Sequence, residues 1–454
     1  MAGTLIVPVV DEGLGNSSYL VDLGGGRALA VDAPRDLRAV RAAAERHGLA
    51  VAFVADTHLH ADFLSGALQL AADDGAQMLA SAAGNREFDH RRLADGDEAD
   101  LGGLTLRAWE TPGHTAEHLA YLLLDGQEVL AAFTGGSLLV GAAARTDLSG
   151  TEQTEPLARS QYASLRRLLT LPGATPVYPT HGAGSFCSAP PGAQRTTTIG
   201  REKAANPLLA GGDEDAFVKS LLASLGTFPG YFLRLPEENR RGPTVVAPVP
   251  ALAPLTAGQV RAMQNLGGQV IDVRRVSDYA AGHVPGSLAI PLRDAFATWL
   301  GWLVPDPASP LVIVAAPGQD LDDVIWQALK IGYGNLAGTL DGGIAAWRTA
   351  GYPVAVTQLL APDQVDPGTV VDVRQASEYA GGHLPGARNV ELGALARQAA
   401  SLGGRPVVTM CGHGERAATA ASMLERAGCS AAAVLPGSPP DWAEVTGRTL
   451  ESGA

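Results

Sequence analysis

The chain has 454 residues, which is too long for a single hydrophobic core and predicts about three domains. Hydrophobic residues make up 46% of it, so folded domains are favoured over disorder. The formal net charge of −14 argues against a nucleic-acid partner, because binding phosphates needs a clustered basic surface. No segment has the roughly 18 apolar residues needed to span a membrane.

The opening segment M-A-G-T-L-I-V-P-V-V predicts a first β-strand. It lacks the basic start of a signal peptide, and Pro8, Asp11 and Glu12 limit its apolar run. Three scattered cysteines are too few for a disulfide framework. A reducing, cytoplasmic setting with at least one functional thiol is therefore expected. Cys187 and Cys429 are interpreted as small buried apolar residues.

Strand-like and helix-like segments alternate in the first part of the chain. The runs L-I-V-P-V-V, A-L-A-V-D-A and V-A-F-V-A-D predict strands, and L-R-A-V-R-A-A-A-E-R-H predicts a helix. This alternation indicates a layered α/β sandwich. His58 and His60 follow the strand that ends at Asp56, where functional loops lie in such folds.

Four sequence blocks of this region form a combined signal. They are T-H-L-H-A-D-F-L-S-G from Thr57, T-P-G-H-T-A-E-H from Thr111, F-T-G-G-S-L from Phe133 and V-Y-P-T-H-G-A-G from Val177. Together they resemble the metallo-β-lactamase fold, most closely its persulfide dioxygenase branch. The resemblance implies an αββα sandwich over residues 1–240 and a mononuclear iron held by two histidines and one aspartate.

The chain departs from that family at two ligand positions. Phe63 stands where the family has a histidine, and Gly136 stands where it has the metal-binding aspartate. Five residues do match positions of the family motifs: His58, His60, His114, Asp62 and His181. We expect His58, His60 and His114 to form the metal-binding face, with Asp62 and His181 as further candidates.

Three interpretations of this site remain open. A three-histidine face can bind Fe(II), with Zn(II) as the alternative. A weakened dioxygenase site can hold water in place of the carboxylate. The domain can also have lost its metal and act as a scaffold. Arg145, in the segment R-T-D-L, is a candidate for binding a carboxylate of glutathione or another thiol carrier, with a fold-stabilising ion pair as the alternative.

A repeat marks the remainder of the chain. I-D-V-R-R-V-S-D-Y-A-A-G-H-V-P-G-S starts at Ile271, and V-D-V-R-Q-A-S-E-Y-A-G-G-H-L-P-G-A starts at Val371. A Pro-rich and Gly-rich stretch precedes the repeat. We therefore predict a linker over residues 241–254 and two homologous α/β domains over 255–356 and 357–454.

The second copy carries a thiol in a glycine-rich loop. The strand P-V-V-T-M leads into C-G-H-G-E-R and then into an Ala-rich helix, which places Cys411 at a helix N-terminus. Backbone N–H groups, the helix dipole and Arg416 are expected to stabilise a thiolate there. The predicted cradle around Cys411 consists of Gly412, His413, Gly414, Glu415 and Arg416.

This second copy resembles rhodanese through D-V-R, E-Y, G-H-L-P-G-A and the cysteine loop. The resemblance implies that Cys411 is a catalytic nucleophile that carries a persulfide and passes its outer sulfur to a thiol or sulfite. The first copy has Ala315 or Ala316 where a cysteine is expected, with no nearby arginine. It resembles an inactive rhodanese homology domain.

The whole chain resembles fused proteins with a persulfide dioxygenase-like domain, an inactive rhodanese domain and an active one. The resemblance implies sulfide detoxification, with small persulfides, thiosulfate, sulfite or thiols as ligands, and a homo-oligomer. Two alternatives are a sulfur-relay or binding protein with a metal-free first domain, and a zinc thioester hydrolase.

Overall fold

The computed structural model describes residues 4–187, 194–210, 212–402, 407–429 and 432–453. The chain divides into two units. The first contains Met1–Val249 and Trp326–Gly332, and the second contains Pro250–Ile325 and Tyr333–Ala454. In the described parts of the chain, no helix is long and apolar enough to cross a lipid bilayer.

The strands of the first unit form two six-stranded sheets and a small hairpin. The first sheet contains β1 (Ile6–Asp11), β2 (Asn16–Asp22), β3 (Arg27–Val31), β4 (Ala50–Ala55), β5 (Gln77–Ser81) and β6 (Arg91–Leu93), in that spatial order. The other strands are β7 (Glu98–Asp100), β8 (Thr105–Glu110), β9 (Leu119–Asp125), β10 (Glu128–Gly135), β11 (Leu138–Leu139), β12 (Ala142–Ala143), β13 (Pro176–Pro179) and β14 (Thr197–Thr198). The second sheet has the order β14-β13-β10-β9-β8-β7, and β11 pairs with β12.

The alternation of side chains along the central strands explains the layering. In β9, Leu119, Tyr121 and Leu123 belong to a core cluster that also takes side chains from the first sheet. Leu122 and Leu124 belong to a cluster on the opposite face. Successive side chains of a strand point to opposite faces of the sheet. A strand whose residues are all apolar is therefore covered on both faces, as β9 is.

Helices cover the two outer faces of the sheets. The helices of the first unit are α1 (Arg38–Arg46), α2 (Ala67–Asp74), α3 (Thr151–Leu168), α4 (Ile199–Ala205), α5 (Glu214–Ala223) and α6 (Leu235–Arg241). Side chains of α1 and α2 pack with the first sheet, and side chains of α3 and α5 pack with the second. The result is the αββα sandwich that the resemblance to the metallo-β-lactamase fold implies.

The second unit contains two copies of one parallel α/β fold. The first copy has β15 (Pro254–Leu255), α7 (Ala257–Asn265), β16 (Gln269–Asp272), α8 (Val276–Ala281), β17 (Leu288–Ala289), α9 (Phe296–Leu303), β18 (Leu311–Val314), α10 (Leu321–Lys330), β19 (Leu336–Leu340) and α11 (Gly343–Thr349). The second half of α10, from Trp326, is grouped with the first unit. The second has β20 (Gln358–Leu359), β21 (Val370–Asp372), α12 (Ala376–Ala380), β22 (Arg388–Asn389), α13 (Leu395–Leu402), β23 (Val407–Met410), α14 (Glu415–Arg426), β24 (Ala432–Leu435) and α15 (Pro439–Thr446). The sheet orders, β15-β19-β18-β16-β17 and β20-β24-β23-β21-β22, correspond strand for strand.

The repeated D-V-R motif has the same structural role in both copies. Asp372 is fully buried and accepts hydrogen bonds from Nε and Nη2 of Arg374, which also donates to the Gly382 carbonyl at 2.7 Å. Asp272 and Arg274 repeat the pattern in the first copy. The pair ties the end of a central strand to the following turn, so its role is architectural.

Removing the carboxylate of Asp372 tests this role. In Asp372→Ala the buried guanidinium of Arg374 loses its counter-charge, and the second unit is expected to lose about 3 kcal/mol of unfolding free energy. Urea titration followed by tryptophan fluorescence measures the loss. The exposed Asp363→Ala variant is the matched control and should stay within about 0.5 kcal/mol of the parent. Equal midpoints for the two variants would contradict the assigned role.

Candidate functional site

Three buried imidazoles converge at one edge of the αββα sandwich. His58 follows β4, His114 follows β8 and His181 follows β13, so both sheets contribute. One ligand atom from each lies within 4.8 Å of the others, and the Nε2 atoms of His58 and His181 are 3.4 Å apart. All three side chains are about 1% exposed.

Hydrogen bonds to the Nδ1 atoms fix how the three rings are protonated. Nδ1 of His114 lies 2.7 Å from the Arg145 carbonyl oxygen, which can only accept, so Nδ1 carries the hydrogen. Thr57 donates its hydroxyl to Asp32, so its oxygen accepts from Nδ1 of His58 at 2.8 Å. Each of these two rings therefore presents an unprotonated Nε2 to the centre of the cluster.

His181 is oriented by a carboxylate on its outer side. Its Nδ1 lies 3.0 Å from Oδ1 of Asn16 and 3.3 Å from Oδ2 of Asp62, and Asn16 donates to Asp62 at 2.8 Å. Burial would raise the pKa of Asp62, but the charge and hydrogen bond of His181 outweigh it and lower the pKa to about 2. Burial opposes charge on His181, yet Cys187 and Asp62 raise its pKa above the ordinary value. Both favour a hydrogen on Nδ1. The raised pKa also favours a proton on Nε2, which would have to leave before this nitrogen could bind a metal ion.

This arrangement fits a metal ion. Burial, followed by the neighbouring histidines, lowers the pKa of His58 well below the ordinary value and that of His114 to about 3, so neither ring gains a proton easily. Nε2 of His114 is buried and has no hydrogen-bond partner among the described residues. The three ligand nitrogens face one point, and three imidazoles suit iron or zinc once each is unprotonated on the nitrogen that binds.

The structure groups the predicted ligands differently from the sequence interpretation. His60 is close to His58, with ring centroids 4.2 Å apart, but its Nε2 lies 3.1 Å from Asp32 and its ring stacks on Phe63. His60 therefore pairs with a carboxylate through Nε2, while its buried Nδ1 has no hydrogen-bond partner among the described residues. Two candidate groups result: His58 with His114 and His181, and His58 with His60 and Asp32. Asp62 lies behind His181 as an orienting group.

Gly136 leaves space that a histidine ring fills. A Cβ atom built at this position would lie 2.2 Å from Cδ2 of His114, so the ring occupies the place of a side chain. The N–H of Gly136 donates to Nε2 of His118 at 2.9 Å, and Nδ1 of His118 pairs with Thr111. His118 is thus a buried support of this loop, and its Nε2 lone pair is already used.

Arg145 lies in the interior, with 1% exposure. Its guanidinium binds both carboxylate oxygens of Asp147 and the carbonyl oxygens of Phe186 and Gly226, all within 2.9 Å. This geometry corresponds to the fold-stabilising ion pair that was the alternative to carboxylate binding. The substrate-binding assignment of Arg145 is not supported by these contacts.

Several residues of the site escaped the sequence analysis. Asp32, Thr180 and His118 fall within or beside the quoted blocks, but nothing in their spacing marks them as partners. Cys187 is fully buried as expected, yet its sulfur lies 4.0 Å from Oδ2 of Asp62, in a group with His181. Only the meeting of distant loops reveals these contacts.

Cys411 occupies the carboxyl end of β23, at the start of the loop before α14. Its side chain is 1% exposed, and the N–H of Gly414 donates to Sγ at 3.1 Å. Gly414 has a φ of +100°, which a side chain would strain. The glycine thus turns its N–H towards the sulfur, in agreement with part of the predicted cradle.

Arg416 is bound to a carboxylate. Its two terminal nitrogens lie 2.7 and 2.9 Å from the oxygens of Glu378. Burial alone would raise the pKa of Glu378, but the hydrogen bonds and charge of Arg416 hold it below the ordinary value. The predicted contribution of Arg416 to stabilising a thiolate therefore stays a prediction, and the guanidinium has Glu378 as a partner. Arg416 lies in the cradle as half of an ion pair, while His413 is exposed and Glu415 begins α14.

The first copy lacks a thiol at the equivalent place. Val314 pairs with Asp272 as Met410 pairs with Asp372, so Ala315 corresponds to Cys411. The side chain of Gln319 fills the loop, accepting from Ala316 N at 3.0 Å and donating to the Val273 carbonyl at 2.6 Å.

Comparisons with known proteins find matches in different parts of the chain. Residues 256–350 and 355–445 match the Rhodanese-like domain family. A probable metallo-hydrolase of Burkholderia pseudomallei is 31% identical over 261 residues, which cover 48% of this chain and 86% of that protein. A metallo-β-lactamase of Staphylococcus aureus, known from a crystal structure, is 26% identical, with a TM-score of 0.65 and coverage of 74% of this chain and 98% of that one.

Two further relatives match shorter stretches. A hydroxyacylglutathione hydrolase of Brucella anthropi is 35% identical over 153 residues, covering 33% of this chain and 55% of that protein. The human mitochondrial persulfide dioxygenase ETHE1 is 30% identical over 189 residues, covering 41% and 66%. The chain thus spans between half and two thirds of the length of these two relatives. The fold and the matches define a domain of the metallo-β-lactamase fold. The chain belongs to the family in which such a domain is fused to rhodanese-like domains.

Metal analysis of single variants separates the two ligand sets. We expect His114→Ala and His181→Ala to lose bound iron or zinc, because each removes one of three converging Nε2 atoms. His60→Ala should keep the metal, and the exposed His47→Ala is the matched control. Plasma mass spectrometry after reconstitution gives the stoichiometry. If His181→Ala kept the metal and His60→Ala lost it, the ligands would instead be His58, His60 and His114, as the sequence predicts.

Proposed function

We propose that the chain is a sulfur-handling enzyme with two centres. Cys411 transfers sulfane sulfur, and the histidine site oxidises a low-molecular-weight persulfide to sulfite. The rhodanese-like matches and the persulfide dioxygenase relative support an enzyme of sulfur metabolism that acts on small sulfur compounds. The convergence of His58, His114 and His181 is the observation that carries the second activity.

The transfer at Cys411 conserves atoms and charge. The thiolate attacks the outer sulfur of thiosulfate, the S–S bond of thiosulfate breaks, and sulfite leaves with the electron pair. The product is a Cys411 persulfide anion, which passes its outer sulfur to an acceptor thiol or cyanide. The N–H of Gly414 and the N-terminus of α14 favour negative charge on this sulfur, as helix N-termini do for anions.

The reaction at the histidine site consumes dioxygen and water. One persulfide R–S–SH, one O₂ and one H₂O give one thiol R–SH, one sulfite and two protons. Iron bound by the three histidines would supply the redox chemistry that O₂ requires. Asp62, Asn16, Thr57 and the carbonyl of Arg145 keep the rings oriented, as outer partners of metal-bound histidines do.

A second candidate is a zinc-dependent thioester hydrolase. Three imidazoles suit zinc as well as iron, and the hydroxyacylglutathione hydrolase relative favours this chemistry. In that case the site would act on a thioester carbonyl with no need for O₂. The two candidates differ in metal and in oxygen consumption.

Thiocyanate formation from thiosulfate and cyanide tests the first centre. Cys411→Ala is expected to reduce the rate to background, because no covalent sulfur carrier remains. Cys429→Ala is the matched control and should keep the parental rate, since Cys429 lies beyond the far end of α14. Undiminished thiocyanate formation by Cys411→Ala would contradict the assignment.

Oxygen uptake tests the second centre. Protein loaded with iron should consume one O₂ per sulfite with a mixed panel of small persulfides, and His114→Ala should abolish the uptake while His47→Ala keeps it. Zinc-loaded protein that hydrolyses a thioester, combined with no O₂ uptake by the iron form, would support the hydrolase. That outcome would contradict the dioxygenase.

A further inference from the structure

A small pocket lies beside the histidine cluster in the first unit. Its volume is about 270 Å³, and its lining includes Leu59, Ala61, Thr115, Glu117, Leu233 and Glu237. Leu59 and Ala61 flank His60, and Thr115 directly follows His114. The pocket therefore adjoins the loops that carry the cluster. Its volume is slightly below the usual range for small-molecule sites, which starts at about 300 Å³.

Acidic groups dominate the charge of this pocket. Oε1 of Glu117 accepts from the Leu59 N–H at 2.8 Å and from the Thr115 hydroxyl at 2.9 Å, which holds the carboxylate at the wall. Hydrogen bonds from Arg240 lower the pKa of Glu237 to about 2, so this group stays ionised. A ligand entering here meets two carboxylates.

Arg240 is the one cation among the described residues that line the pocket, and it is already bound. Its guanidinium contacts both oxygens of Glu237 at 2.6 and 2.9 Å and one oxygen of Glu87 at 2.9 Å. Arg241 also contacts Glu237, at 2.6 Å, so these two arginines are balanced by Glu237 and Glu87. Glu117 has no ion-pair partner among the described residues and leaves the pocket with a net negative charge. Arg145, the other candidate for binding a carboxylate, is buried on Asp147.

Apolar side chains form the rest of the wall. Leu59, Leu148 and Pro236 line the pocket, and Leu233 stands at its rim with 61% exposure. Such a surface suits the methylene groups of a short thiol. It offers no compensation for an anionic carrier group, because a carboxylate near ionised carboxylates is repelled.

Resting on the proposed persulfide oxidation, we propose that the pocket selects persulfides of small aminothiols or neutral thiols over glutathione persulfide. The carrier is a short chain with an ammonium or hydroxyl group and no carboxylate. Its ammonium lies near Glu117 and Glu237, and its methylene groups contact the leucines. Glutathione, with two carboxylates, is disfavoured by the same groups.

Binding of unreactive analogues tests the substrate class without any turnover. Calorimetry on the full-length, metal-loaded protein compares S-methylcysteamine, which is cationic, with S-methylglutathione. We expect the cationic thioether to bind at least about tenfold more tightly, a preference that salt weakens. Tighter binding of S-methylglutathione, equal binding of the two, or binding of neither would overturn the proposal.

A charge reversal gives the matched comparison. In Glu237→Lys the preference for the cationic thioether should fall by roughly threefold to tenfold, because a pocket anion becomes a cation. Glu128→Lys makes the same change of net charge at an exposed residue at the start of β10, which does not line the pocket, and should leave the preference unchanged. Equal shifts in both variants would contradict a role for Glu237.

Turnover then separates the two proposals. Selective binding of S-methylcysteamine without O₂ uptake on any persulfide would leave the substrate class standing and refute the oxidation. Oxygen uptake that is fastest with glutathione persulfide would support the oxidation and refute the selectivity. Uptake that is fastest with cysteamine persulfide supports both.

Discussion

The histidine site of the first unit depends on the hydrogen bonds of one buried carboxylate, that of Asp32. It accepts hydrogen bonds from the backbone N–H and the hydroxyl of Thr57, both at 2.7 Å, and also from the hydroxyl of Thr180. His60 lies 3.1 Å away. Burial would raise the pKa of Asp32, but its contacts, led by His60, hold it below the ordinary value. Because Asp32 follows β3, Thr57 follows β4 and Thr180 follows β13, one ionised group joins loops from both sheets. His58 and His181 are the next residues along two of these loops, so their approach follows from this junction.

The second site depends on its neighbouring copy. The helix α14 starts beside Cys411, and near its other end Glu425 accepts from the N–H of Gly286 and contacts Nε2 of His283, both at 2.9 Å. Thr419, in the middle of the helix, donates to the Ala289 carbonyl. The first copy therefore braces the helix that carries the thiol loop, although Ala315 leaves it without a nucleophile. This contact gives the inactive copy a physical role within the second unit.

The sequence predicts the architecture well and the metal ligands less well. The repeat, the sandwich and the thiol loop follow from periodicity, from turn residues and from motifs that are local in the chain. The ligand set depends on which nitrogen each ring presents, and that is decided by partners far along the chain. His60 and His181 both match motif positions. In the structure, however, Asp32 contacts Nε2 of His60, whereas Asn16 and Asp62 contact Nδ1 of His181 and leave its Nε2 facing the cluster. The role of Arg145 could not be predicted for the same reason, because nothing in the local sequence indicates that its side chain is buried and paired with Asp147.

The absence of a carboxylate at position 136 changes where the negative charge of the site lies. In a set of two histidines and one aspartate, the anion touches the metal directly and neutralises part of its charge. Here His58, His114 and His181 would hold the metal through imidazole nitrogens, and the ionised Asp62 would act through the ring of His181. A hydrogen-bonded carboxylate makes an imidazole a stronger donor, so the charge of Asp62 would reach a bound metal through its ligand His181. The position of the His114 ring against Gly136 is then compatible with metal binding, because Asp62, behind His181, would supply negative charge.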